Sequence, residues 1–110
     1  MSLIDSISGI LLIKQPTRLV LDIGGIRFQV NISISCYESL PDEGKQIEIL
    51  TFLHVKDDIL DLYGFKDLSE RSLFIYLNMI SGIGPRSAMN ILSGTNPEAV
   101  SYTHLRAHET

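Results

Sequence analysis

The sequence lacks tryptophan, contains a single cysteine and has no long uninterrupted apolar run among its 110 residues. Because Cys36 has no partner within the chain, no internal disulfide can form, which indicates a reducing compartment, the cytoplasm. No segment approaches the roughly 18–20 apolar residues that a membrane-spanning helix needs. The first residues also lack the basic and apolar regions of a secretory signal, so we expect a cytoplasmic protein with no membrane partner.

Side chains suited to catalysis or metal binding are also scarce. His54 is the only histidine before the last few residues, so a zinc site lacks ligands. No residue near Cys36 in the sequence would activate its thiol. Gly24-Gly25 is not followed by the helix that a nucleotide-binding loop requires. We therefore expect no metal, no cofactor and no enzymatic activity.

Positive charge is the third deficit. Nine Lys and Arg residues face 13 Asp and Glu residues, so the net charge is −4, and the basic residues form no cluster. This balance argues against a simple basic protein that binds nucleic acid by neutralising phosphates. If DNA is the partner, the contact must be local and must use backbone amides.

The first 65 residues carry strand patterns. In the stretch from Ile26 to Ile32, apolar and polar residues alternate, which predicts a strand with one buried face. Gly24-Gly25 before it is a two-residue hairpin signal. We predict five strands, at 4–13, 19–23, 26–32, 46–55 and 59–65. We also predict a bend or bulge at Gly9 and a short helical turn at 35–40. This pattern favours a five-stranded OB-fold barrel over residues 1–65, with an SH3-like barrel as the alternative.

Helical spacing begins after Phe65. Asp67-Leu-Ser-Glu70 has the spacing of a capping box, and the helix that it opens is predicted to end near Ile80. A second helix is predicted from Pro85 to about residue 93, and Asn96-Pro97 opens another. The expected fold class is therefore α+β, a barrel followed by a helix-hairpin-helix module.

The stretch between the two helices is the strongest functional motif. Two glycines flank one aliphatic residue in Gly82-Ile83-Gly84, which predicts a tight turn with exposed amides. Pro85 suits the first position of a helix, whose free N–H groups and positive dipole end form a phosphate site. The alternative is a Gly-Pro turn that joins two core helices and binds nothing. The apolar spacing on both sides of the turn favours the DNA-binding pattern.

Several blocks of this sequence occur in the same order in one known family. They are the hairpin Leu21–Val30, Leu40-Pro41, Thr51–His54, Leu62-Tyr-Gly-Phe65, and the stretch from Gly82 through Gly94. With these blocks the chain resembles the N-terminal part of the RuvA family of bacterial Holliday-junction-binding proteins, from Ile4 to about Ala99. The Leu-Tyr-Gly-Phe block between a barrel and a helix-hairpin-helix is the most distinctive.

The resemblance implies a function without covalent chemistry. Members of the family form a homotetramer that holds four-way junction DNA open, and a RuvB-type ATPase then drives branch migration. The residues that match the family's first DNA-binding hairpin are Gly82, Ile83, Gly84, Arg86 and Ser87.

The resemblance also assigns a role to the turn between the last two strands. Asp57 and Asp58 match the acidic pin that points into the centre of the junction. Acidic groups there repel phosphates and steer strands apart, while amides hold the duplex arms. Without the resemblance, two aspartates in a hairpin are a solvated turn.

A second reading is an OB-fold module that binds single-stranded DNA or another protein. Single-strand binding uses exposed aromatic platforms along a basic groove. The aromatic residues Phe28, Phe52, Tyr63 and Phe65 instead fall in apolar strand patterns, where core positions are expected.

The two ends of the chain depart from the family. Met1-Ser2-Leu3 precedes the usual first strand. Residues 66–99 match the first helix-hairpin-helix, but Val100 to Thr110 resembles the translation of a sequencing-library adapter, and we interpret it as a non-native tail. The alternative is a polar helix end. We accordingly expect a truncated chain, without a second hairpin or a domain for the motor.

Overall fold

A computed structural model describes residues 3–80 and 82–94. The elements, in chain order, are β1 (Ser6–Gln15), β2 (Arg18–Ile23), β3 (Ile26–Ile32), α1 (Ile34–Ser39), β4 (Gln46–Lys56), β5 (Ile59–Phe65), α2 (Leu68–Met79) and α3 (Pro85–Gly94). The α+β class and all five predicted strands are confirmed. No helix in the described part is long and apolar enough to cross a membrane.

The five strands form a closed barrel in the order β1-β2-β3-β5-β4. Strand β1 pairs antiparallel with both β2 and β4, and a short parallel pairing of β3 with β5 completes the closure. Helix α1 follows β3 and precedes β4. This order, with a helix between the third and fourth strands, identifies the OB fold rather than the SH3-like alternative.

Strand β1 turns the corner of the barrel, and the position of its bulge differs from the prediction. Its first half pairs with β4 and its second half with β2, and the register shifts between Leu11 and Ile13. The bulge therefore lies just after Gly9 and not at it. A Cβ on Gly9 would stand 2.5 Å from the carbonyl oxygen of Asp22, so the glycine permits a close approach of β1 to β2.

The predicted hairpin between β2 and β3 is confirmed. Gly24 and Gly25 have φ of +61° and +95°, as a two-residue turn with both central residues in the left-handed region requires. The predicted helical turn is α1, which begins after Ser33 because the Ser33 hydroxyl accepts a hydrogen bond from the amide of Cys36.

The molecule has two apolar cores. One fills the barrel and contains Leu11, Leu19, Leu21, Val30, Ile32, Cys36, Ile49 and Leu62. The other joins the helices to the outside of β4 and β5 and is centred on Phe74, whose ring lies 4.9 Å from that of Phe65 and 5.6 Å from that of Phe52. Aromatic pairs at these separations stabilise the packing by more than the burial of their area alone, so they hold α2 against the barrel.

The buried carboxylate of Glu70 also helps to hold α2 on the barrel. Asp67 caps α2 by accepting a hydrogen bond from the Glu70 amide at 2.8 Å, as the capping-box spacing predicted. The Glu70 side chain accepts from the Lys66 amide and from the Ser33 hydroxyl, at 3.0 and 2.6 Å. One side chain thereby links α2 to the end of β5 and to the start of α1.

Helix α3 ends at Gly94, where the described part of the chain also ends. The helix predicted at Asn96-Pro97, the remainder of the 66–99 module and the interpretation of 100–110 as a non-native tail lie outside the described residues, and they stay predictions.

Candidate nucleic-acid interface

The turn between α2 and α3 has the geometry of a tight reversal. The Ile83 amide donates to the carbonyl of Ile80 at 3.2 Å, and Gly82 has φ of +67°. An L side chain is strained at such a φ, so this position requires glycine, as predicted. Ile83 is half-buried against the core between barrel and helices, which anchors the turn.

Helix α3 begins with an unobstructed first turn. Its first intrahelical bond runs from the Ala88 amide to the Gly84 carbonyl at 2.9 Å, so the amides of Arg86 and Ser87 precede the helical ladder. Both residues are exposed, whereas Ala88 is fully buried against α2. The structure thus brings together the five residues predicted for DNA contact on one short exposed segment.

The two glycines of the turn have different roles. Gly84 has no positive φ, and a Cβ built on it meets nothing within 4 Å. The fold therefore needs glycine at 82 but not at 84. The positive φ that the glycine turn allows is therefore found at Gly82 and not at Gly84. Because Gly84 has no side chain, the space beside the start of α3 stays open.

The acidic turn between β4 and β5 is exposed. Asp57 and Asp58 are the two central residues of the hairpin, between paired Lys56 and Ile59. Asp57 has φ of +52°, the only positive φ outside glycine in the described part of the chain. Aspartate tolerates this region better than most residues. The turn therefore presents two carboxylates at the tip of a projecting hairpin.

The same hairpin carries exposed apolar side chains that sequence reasoning missed. Val55 and Leu60 face each other across it and are 63% and 69% exposed. Leu60 also borders a shallow apolar groove with Ile4, Phe28, Leu53 and Leu62. Both residues fall within the predicted strands 46–55 and 59–65, but those strand patterns did not show that β4 and β5 extend past the end of the barrel.

The four strand aromatics pack against the two cores, as the strand pattern predicted, although Phe28 is half-buried and also borders the groove beside Leu60. Phe65 and Tyr63 are buried, and Phe52 packs on the ring of Phe74. Burial, followed by the Asp61 carboxylate, raises the pKa of Tyr63, whereas the Arg86 guanidinium lowers it. The Tyr63 hydroxyl is therefore neutral at physiological pH and borders a polar cleft.

That cleft lies between the barrel and α3 and was not predicted. Its volume is about 250 Å³, and its lining includes Arg18 from the start of β2 and Arg86 from the first turn of α3. The sequence could not indicate this cleft, because the two arginines that line it are far apart along the chain.

The described part of the chain has neither a metal-binding cluster nor a reactive thiol. It contains no group of three or more His, Cys, Asp or Glu side chains that could hold a metal ion. Burial, and to a lesser extent the charge of Glu70, raises the pKa of Cys36 to about 12, so its thiol is not a nucleophile at neutral pH.

The fold and the exposed turn together define a class: an OB-fold barrel that presents a helix pair joined through a glycine turn. The family model described as RuvA N terminal domain matches residues 3–64. The chain belongs to this family.

Curated relatives agree with this assignment. The chain is 40% identical to the Holliday junction branch migration complex subunit RuvA of Amoebophilus asiaticus over 98% of the chain and 55% of that protein. It is 37% identical to the subunit of the same name from Geobacter metallireducens over 90% of the chain and 50% of that protein, and 44% identical to that of Chloroherpeton thalassium over 84% and 46%. The chain spans about half the length of the curated relatives it matches.

Proposed function

We propose that this chain binds four-way junction DNA as a non-catalytic scaffold subunit of a branch migration complex, in recombination and DNA repair. The observation that carries the proposal is the exposed first turn of α3, where the amides of Arg86 and Ser87 lie beside the open space at Gly84. Amides at a helix N-terminus bind phosphate oxygens without needing a basic surface. This contact is compatible with a net charge of −4.

The relatives support the proposal through their names, each of which is that of a Holliday junction branch migration complex subunit. A subunit that holds the junction needs a partner to move it. For the whole protein that partner is a RuvB-type ATPase, and the cytoplasm is the compartment in which both would meet DNA.

The acidic turn is assigned the role of a pin in this proposal. Asp57 and Asp58 project from the barrel on an exposed hairpin, where they are free to face the phosphates of a junction centre. Their repulsion of phosphate would favour separated strands over continuous duplex.

The apolar groove beside Leu60 supports assembly into a homotetramer. The groove is lined by buried and half-buried apolar side chains and by the exposed Leu60, and Val55 is exposed across the hairpin from Leu60. Contiguous apolar surface of this kind is typical of surfaces that another protein covers. A second copy of the chain is the partner proposed here, because four copies would place four hairpins around one junction.

Competitive binding tests the function. The chain is titrated with a labelled four-way junction, with a duplex of the same arm sequence and with one of its single strands. We expect the junction to bind best. A preference for the single strand would instead support the OB-fold module that binds single strands, and equal binding of junction and duplex would contradict a junction scaffold.

Variants of the turn test the site. Gly84→Val is expected to weaken duplex binding more than Arg86→Ala, because the valine blocks the approach of a phosphate to several amides and Arg86 supplies one charged contact. Gly84→Asp is a sharper variant. Aspartate is a good residue at a helix N-terminus, so stability should hold or rise while DNA binding falls. A larger loss from Arg86→Ala than from either Gly84 variant would mean that charge, not amides, holds the DNA.

A further inference from the structure

The described part of the chain contains four arginines, and they fall into two kinds. Arg27 and Arg71 each form an ion pair with an aspartate, at 3.7 and 3.1 Å. Arg18 and Arg86 form no ion pair with any described residue. A guanidinium without a carboxylate keeps its full charge for an external anion.

The two unpaired arginines border the same cleft from opposite sides. Arg18 stands at the start of β2 on the barrel, and Arg86 stands in the first turn of α3. The remaining polar lining is rich in neutral donors, which are Thr17, Asn31, Tyr63, Asn90 and Ser93. The volume of about 250 Å³ is room for roughly eight water molecules at liquid density, so an anion of modest size fits.

Arg18 is held in place without being neutralised. Its Nε donates to the Oε1 atom of Gln15 at 2.8 Å, and glutamine carries no charge. The two terminal nitrogens of the guanidinium form no hydrogen bond or ion pair with any described residue, so both remain available to donate to one external group. Such a fork matches the oxygens of a phosphate.

We propose that this cleft holds a phosphodiester group of the DNA strand bound at the start of α3, with Arg18 as its contact from the barrel. The inference rests on the proposed function, because the cleft adjoins the turn assigned to DNA. The strand would pass from the amides of Arg86 and Ser87 into the cleft, where Asn90 can donate to phosphate or sugar oxygens. The side-chain amide of Asn31 already donates to the Leu62 carbonyl at 3.2 Å, which leaves one of its N–H groups for the strand. The barrel thereby contributes directly to binding of a duplex arm.

Asp61 limits the affinity of the cleft. It is the single carboxylate in the lining, and it lies beyond ion-pair distance of both arginines. A carboxylate there repels a phosphate. Removing its charge should therefore strengthen binding, and a gain of binding cannot arise from misfolding.

The test uses the 110-residue chain with a labelled four-way junction and the matching duplex at several salt concentrations. Arg18→Gln should weaken binding about tenfold at low salt and reduce the slope of log affinity against log salt by about 0.9, the value for one lost phosphate contact. Arg27→Gln removes the same charge from an arginine paired with Asp22, and it should change both quantities much less. Asp61→Asn should raise affinity.

Each outcome decides the question. If Arg18→Gln behaves like Arg27→Gln, or lowers affinity with an unchanged salt slope, the cleft does not hold a phosphate. If Asp61→Asn fails to raise affinity, the anion does not enter the cleft. Gly84→Asp, at a residue outside the cleft lining, separates this result from failure of the proposed function: it weakens binding when only the cleft proposal is wrong. If Gly84→Asp does not affect binding, or the unaltered chain does not bind at low salt, both proposals are wrong.

Discussion

At the scale of single residues, Gly82 is the position whose backbone conformation the turn before α3 requires. Its φ of +67° places it in the left-handed region, and no atom of a described residue other than its chain neighbours lies within 4 Å of a Cβ built there. The constraint is therefore conformational and not steric. Gly84, two residues later, lacks that constraint.

We predict that Gly82→Ala destabilises the protein by about 1–2 kcal/mol, the usual cost of an L residue in the left-handed region. Gly84→Ala, the matched control, should change stability much less. Thermal unfolding followed by circular dichroism measures both, and a loss of about 1 kcal/mol corresponds to roughly 4–8 °C for a domain of this size. Equal losses from the two substitutions would contradict a conformational role confined to Gly82.

Cys36 illustrates a second effect at this scale. Its thiol is buried in the barrel core and its pKa rises from 9.0 to about 12, first because of burial and then because of Glu70. In the unfolded chain the thiol ionises near pH 9, while the folded chain keeps it protonated. Folding therefore binds a proton between these two pH values.

The resulting pH dependence has a defined sign. The stabilising contribution is complete below about pH 9 and is lost as the pH rises toward 12. We predict that Cys36→Ala loses stability less steeply than the original chain across this window, by up to about 1.4 kcal/mol per pH unit. Chemical denaturation at several pH values measures the slope. Parallel slopes for the two proteins would show that the thiol ionises equally in both states.

At the scale of elements, the β4–β5 hairpin carries both acidic and apolar side chains on a strand pair that extends beyond the barrel. Asp57 and Asp58 occupy the tip, and Val55 and Leu60 lie just behind it. The loop before β4 is at the other end of the strand, about 33 Å away along an extended chain. Charges at the two ends of β4 should therefore differ in their effect on DNA.

We predict that Asp57→Asn with Asp58→Asn raises affinity for plain duplex, most clearly at low salt, and does not weaken junction binding. Selectivity for the junction should fall because the repulsion that disfavours continuous duplex is removed. Asparagine also tolerates a positive φ, so the turn should keep its shape. Competition between junction and duplex at two salt concentrations measures the ratio.

Asp42→Asn with Glu43→Gln is the matched control, since it removes two exposed charges at the far end of β4. An unchanged junction-to-duplex ratio in the Asp57 and Asp58 variant would mean that these residues only form the turn. A drop in junction affinity in this variant, with added magnesium affecting the original chain more than the variant, would instead indicate a metal at the turn.

At the scale of the whole molecule, the distribution of charge and apolar surface governs binding strength. In the proposed function, the amides at α3 and the cleft would provide a few phosphate contacts, while the net charge of −4 would oppose the rest of the duplex. Such a surface binds DNA weakly unless several copies act together. Assembly through the groove beside Leu60 would supply that multiplicity.

We predict that the 110-residue chain binds junctions weakly as a monomer, in the range of about 10⁻⁶–10⁻⁴ M expected for a few backbone contacts. Leu60→Glu should abolish self-association in sedimentation experiments and weaken junction binding further. Leu68→Glu alters a similarly exposed leucine at the start of α2 and should do neither. Nanomolar junction binding by a monomeric form would contradict this account.

Much of the fold follows from patterns within short segments. The alternation from Ile26 to Ile32 predicted β3 with its observed bounds, and Gly24-Gly25 predicted the turn before it. The helix cap at Asp67 followed from the identity of that residue and its spacing to Glu70. These predictions succeeded because strand alternation, turn conformation and helix capping depend on neighbours along the chain.

Only part of the candidate nucleic-acid interface could be predicted from such local patterns. The exposed turn and the acidic hairpin are continuous in sequence, so their residues could be named in advance. A bend or bulge in β1 was predicted at Gly9, but the bulge lies between Leu11 and Ile13, and Gly9 instead permits the close approach of Asp22 on another strand. Exposure of Val55 and Leu60 also escaped prediction, because local alternation cannot tell where a barrel ends.

By itself, therefore, the sequence determined the elements, the turn that presents α3 and the family to which the chain belongs. Only the tertiary structure decided that Arg18 and Arg86 border one cleft without carboxylate partners, and that Glu70 joins α2 to α1 through Ser33. The physical reason is that barrel closure and helix docking bring together residues distant in sequence, whose charge and exposure depend on which neighbours arrive beside them.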